Sequence, residues 1–128
     1  MALADFHRYL AWFLVVSNAV VGVWALAAHV RPVLRVRPLW WVVVVAQLSA
    51  FAIAIVGVVM LDRYGLELDQ FHGLYGFSCI VAVGILYSYR GSPFVKDKVY
   101  LLYGFGSLFI MGLGLRAMYI GTHSPLAL

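Results

Sequence analysis

Residues 71–90, FHGLYGFSCIVAVGILYSYR, decide the fold. From Phe71 to Tyr89 no charged side chain interrupts an apolar run that spells out about 30 Å of α-helix at 1.5 Å per residue. That is the thickness of a bilayer's hydrocarbon core, so the stretch reads as a membrane helix. It starts with His72, carries Gly73, Gly76 and Gly84, and closes on Tyr87 and Tyr89 before Arg90. An acidic connection, DRYGLELDQ at 62–70, precedes it, and an Arg-Gly-Ser-Pro turn follows.

Outward from this span the pattern repeats. Residues 10–28, 39–61 and 99–120 are further apolar runs of spanning length, and only Arg116 is charged within them. The chain is 65% hydrophobic and 11% charged, with mean hydropathy +0.98, whereas a soluble domain carries about a quarter charged residues. We therefore expect an all-α four-helix membrane bundle, a single domain over 1–128. The run Val42 to Val45 favours a strand in water. In lipid the backbone must satisfy itself within a helix or a closed barrel, and these long uniform runs lack the alternation of barrel strands. The first run competes with a signal peptide ending at Ala25-Leu26-Ala27, but Asp5 and His7 beside Arg8 make a poor basic leader. It reads as a retained helix.

Between the runs, Pro32 and Pro38 break helices, and Arg31, Arg35 and Arg37 make a basic loop. With Arg90, Lys96 and Lys98 this side holds six of the nine Lys and Arg residues. The opposite side holds Arg8, Arg63 and Arg116 with Asp5, Asp62, Glu67 and Asp69. Loops rich in Lys and Arg stay cytoplasmic. Both termini and the acidic connection are thus expected on the outer side of a cell inner (cytoplasmic) membrane, whose bilayer is the first partner. Nucleic acid is not a partner, because the basic residues lie at span ends, and the single Cys79 forms no internal disulfide.

Small residues recur at helical spacing: Ala46, Ala50, Ala54 and Gly57 in the second span, Gly104, Ser107, Gly114 and Gly121 in the fourth. Such stripes let helices approach closely in lipid, where apolar burial gives no drive to associate. They predict self-packing and also allow a face for other membrane subunits or a second copy. Phe6-His7 echoes Phe71-His72, and Val21-Gly22 echoes Val83-Gly84, a possible tandem hairpin repeat.

The candidate sites follow from this topology. His7, His72 and His123 fall at the outer boundary near Asp62, Glu67 and Asp69, a donor set suited to a divalent metal, and two facing imidazoles ligate haem inside helical bundles. His72-Gly-Leu-Tyr-Gly76, a histidine followed by small residues, resembles the pattern in haem-binding four-helix membrane proteins. That resemblance, confined to one helix, implies haem b as a ligand. Arg116, one turn inside the outer end, is a candidate for binding an anionic headgroup or carbonyl, and structurally is expected to pair with Asp62, Glu67 or Asp69. Near the midplane Ser17, Asn18, Gln47, Ser49, Ser78, Cys79 and Ser107 form a polar layer, read first as interhelical glue and second as a pore lining. No Ser/His/Asp or Cys/His set shares one depth, so the chain is not expected to be an enzyme on its own. By elimination the leading expectation is an accessory or assembly subunit of a larger membrane complex. A haem or metal redox centre comes second, and a pore acting as an oligomer third.

Overall fold

The computed structural model describes residues 2–123, with side chains through residue 120. Four α-helices carry the chain: α1 (Ala2–Val30), α2 (Arg37–Tyr64), α3 (Gln70–Tyr89) and α4 (Val99–His123). The described residues contain no strand, and all four helices are long and apolar enough to cross a membrane. This is a multi-pass membrane protein built as an all-α bundle. The helices reach beyond the apolar runs at several ends, most at α1, where Asp5, His7 and Arg8 are already helical. Hydrocarbon limits where charges lie, whereas helical hydrogen bonding continues into the interface.

Local chemistry sets each end. Pro38 occupies the first turn of α2, where its missing N–H costs nothing. Gly65 then stops that helix with φ 62°, the left-handed conformation that glycine adopts without a side-chain clash. Asp69 caps α3, its Oδ1 accepting from the N–H groups of Phe71 at 3.0 Å and His72 at 3.1 Å. At the other end of the bundle, Arg35 turns back on α1. Its Nε donates to Ala28 O at 2.8 Å and its Nη2 to His29 O at 2.9 Å, satisfying carbonyls that a helix C-terminus leaves open.

Short connections make neighbours antiparallel, so the start of α1, the end of α4 and the 62–69 connection lie at one end of the bundle and the two basic loops at the other. Packing is uneven around the ring. The α1–α4 seam is the most extensive, α1–α2 and α3–α4 are also close, and α2 touches α3 only lightly. The two hairpins are therefore not packed equivalently, although each is close within itself. Glycine creates the α1–α4 seam. A Cβ on Gly22 would stand 3.1 Å from Gly104 O and 2.6 Å from Leu108, and one on Gly104 would stand 2.5 Å from Leu26. Gly114 lies against Leu14 and Val15 in the same seam. On α2, Ala46 and Ala50 are buried as the small-residue stripe predicts, while Gly121 falls where no side chain is described.

The basic end is closed by aromatic rings. Trp40 meets Tyr103 edge-on at 5.2 Å and Tyr100 at 5.4 Å, Arg90 lies over Trp40, and Arg35 over Tyr100, each guanidinium 5.1 Å from the ring centroid. Cation–π contact of this kind holds arginine at the interface where its charge reaches headgroups and its stem stays apolar.

Candidate functional site

At the acidic end two imidazoles meet. His7 comes from the second turn of α1 and is 6% exposed; His72 comes from the first turn of α3. Their ring centroids are 6.1 Å apart with planes inclined by 41°. The Asp69 cap positions His72, because it fixes where α3 begins and hence which side of the first turn faces the bundle.

The tautomer of His72 follows from its partner. Nδ1 lies 2.8 Å from Ala117 O, and a carbonyl can only accept, so Nδ1 carries the proton and donates. In the neutral ring Nε2 is then left with its lone pair. A histidine anchored by Nδ1–H to a backbone carbonyl is the arrangement that orients an imidazole for a metal. His7 has no hydrogen bond at either ring nitrogen among the described residues. Its Nε2 faces Gly57 of α2, where a Cβ would stand 3.5 Å away.

The spacing suits one ligand between the rings. Two imidazoles sharing one ligand through metal–nitrogen bonds of about 2.0 Å have centroids about 6 Å apart when their nitrogens face each other; with His7 Nε2 facing Gly57, the His7 ring would have to turn to present a nitrogen to such a ligand. The observed separation is 6.1 Å. Among the described residues no group of three His, Cys, Asp or Glu side chains gathers to hold an ion. Two protein ligands leave a structural zinc or similar ion short of its usual four, but they complete an iron whose other four ligands come from a porphyrin. Gly76, one helical turn beyond His72, has open room where a side chain would be, and the thin α2–α3 contact leaves that flank loosely closed.

His7 and His72 are thus brought together, as their common depth predicts. His123 lies outside the residues with described side chains. Arg116 is exposed and lies over the Tyr119 ring at 5.5 Å. The expected pairing with Asp62, Glu67 or Asp69 is not made; among the described residues the only ion pair joins Asp5 to Arg8, one turn apart at 3.6 Å. From its depth Arg116 snorkels to the interface, so it needs no carboxylate. The midplane layer also differs from the expected interhelical glue. Ser17 and Asn18 both donate to Leu14 O, Ser49 to Ala46 O and Ser78 to Leu74 O, each within its own helix. Only Cys79 reaches across, its Sγ 3.9 Å from Ile110 O. A helix offers Ser and Asn a carbonyl one turn back, and that local partner wins over a distant one.

Two contributors escape sequence reasoning. Gly57 is legible as a small residue, but its place against His7 depends on the antiparallel register of α1 and α2. The Ala117 carbonyl is backbone, which no side chain in the sequence signals. Compared with known protein families, with curated proteins and with solved structures, the chain matches none.

Proposed function

We propose that this chain is a small membrane redox protein that carries a single b-type haem at the acidic end of its bundle, with His7 and His72 as the two protein ligands. One observation carries the reading: two imidazoles from different helices with ring centroids 6.1 Å apart, His7 of the pair only 6% exposed. The haem would supply one-electron chemistry when bound. The protein's own residues do the rest: Ala117 O holds the proton on His72 Nδ1 and keeps Nε2 free, Asp69 sets the ring's position, and Gly57 leaves His7 unobstructed. The excess of Lys and Arg on the opposite loops supports placing this end on the outer face of a cytoplasmic membrane. The test is the visible spectrum of protein purified from its own membrane with haem available. A Soret band that is absent from both His7→Ala and His72→Ala is expected. Colourless wild-type protein, or full haem content in either variant, refutes the reading.

The accessory-subunit reading has its own observation. On α3, Gly84 and Ser88 are exposed one helical turn apart, and α2 leaves that helix lightly covered, a surface suited to another membrane helix. Native mass spectrometry after gentle extraction checks it: larger subunits should accompany the chain, and a clean monomer counts against it. The two readings are compatible, since a haem subunit within a larger complex satisfies both.

A further inference from the structure

A groove of about 500 Å³ runs between α3 and α4 at the basic end. Ala82, Leu86, Leu102, Phe105 and Phe109 are among its walls, and Lys98 is its only charged lining residue. Lys98 immediately precedes α4, so it stands at the mouth, while Phe109 marks the far end. The distance between them along the helix is about 16 Å at 1.5 Å per residue. One leaflet of hydrocarbon is about 15 Å, half of the 30 Å core. The groove therefore begins at headgroup level with a positive charge and ends at the bilayer midplane, apolar throughout.

We propose that this groove is a binding site for one anionic phospholipid from the leaflet at the basic end, its acyl chain between α3 and α4 and its phosphate at Lys98. Charge and length both select this occupant. A zwitterionic lipid gains less from the single lysine, and the slot's length matches one acyl chain in one leaflet. The site is independent of the His7–His72 pair, which lies at the other end of the bundle.

The test is lipid retention by the full-length protein in mild detergent, measured by native mass spectrometry with equimolar phosphatidylglycerol and phosphatidylcholine of identical chains. One phosphatidylglycerol per chain is expected to be retained preferentially. Lys98→Gln should lower that preference about fivefold, the factor equivalent to about 1 kcal/mol per basic residue near the surface. Lys96→Gln, in the same basic connection but outside the groove, should leave it within twofold. Ala82→Trp, which fills the slot, should abolish retention with Lys98 intact. If that variant does not fold, the contrast between the two lysines decides. Soluble glycerol phosphate should not compete, because the chain supplies most of the contact. Equal retention of both lipids, equal effects of the two lysine variants, a folded Ala82→Trp protein that still retains the lipid, or displacement by glycerol phosphate would each overturn the proposal.

Discussion

Alanine at Gly104 should loosen the bundle, whereas alanine at Gly112 should not, and the difference isolates the α1–α4 seam. A methyl at position 104 would stand 2.5 Å from Leu26 Cδ2 and 3.1 Å from the Leu26 backbone nitrogen. Carbon atoms rest at about 3.5–4.0 Å, so the leucine side chain must swing away by about 1 Å. The backbone contact has no such freedom, and α1 must retreat from α4 by a few tenths of an ångström along the most extensive contact in the molecule. Overpacking of this kind costs about 1–3 kcal/mol. A methyl at Gly112 meets nothing within 4 Å. Both substitutions gain the same helix propensity, about 1 kcal/mol, and that gain cancels in the comparison. Gly104→Ala should thus be about 1–3 kcal/mol less stable than Gly112→Ala. Reversible unfolding in mixed micelles, followed by far-ultraviolet circular dichroism against denaturing detergent, measures the difference. Equal stabilities, or a more stable Gly104→Ala, would refute the close approach of the two helices.

Other substitutions probe separate parts of the same structure. Asn18→Leu should raise stability by about 1 kcal/mol in the same unfolding assay, because Asn18 Oδ1 is buried without a partner and an unmet polar atom costs about 1–3 kcal/mol. Asp69→Ala should cost about 1 kcal/mol through loss of the α3 cap, and on the haem reading it should also broaden or shift the Soret band by freeing His72. Arg35→Gln removes two charged hydrogen bonds from the last turn of α1 and the stacking on Tyr100; a loss of about 1–2 kcal/mol is expected, with faster amide exchange near Val30. Gly57→Leu should reduce haem content, since even its Cβ would stand 3.5 Å from His7 Nε2 and the rest of the side chain would crowd that ring. Absorbance and unfolding measured on one preparation separate these effects.

Reading the chain alone was enough to place four helices, their antiparallel alternation and which connections share an end of the bundle. Hydrophobic length against bilayer thickness, prolines at breaks and Lys and Arg at span ends are one-dimensional signals, and they survive without tertiary information. The same arithmetic places His7 and His72 at a common depth. Depth is not adjacency. Which helices touch, and on which sides, depends on the fit of glycines such as Gly22 and Gly104 to Leu108 and Leu26, and that fit exists only once two surfaces meet. From it follow the central α1–α4 seam and the thin α2–α3 flank. The rotation of α3 that puts His72 between His7 and the Ala117 carbonyl is also visible only in the folded bundle. The misreadings have the same origin. Arg116 looked as if it needed a carboxylate, and the midplane hydroxyls as if they needed a neighbouring helix, because a sequence shows a polar group's cost and hides the nearest remedy. For Arg116 the remedy is a stem long enough to reach the interface; for Ser17 and Ser49 it is a carbonyl one turn back.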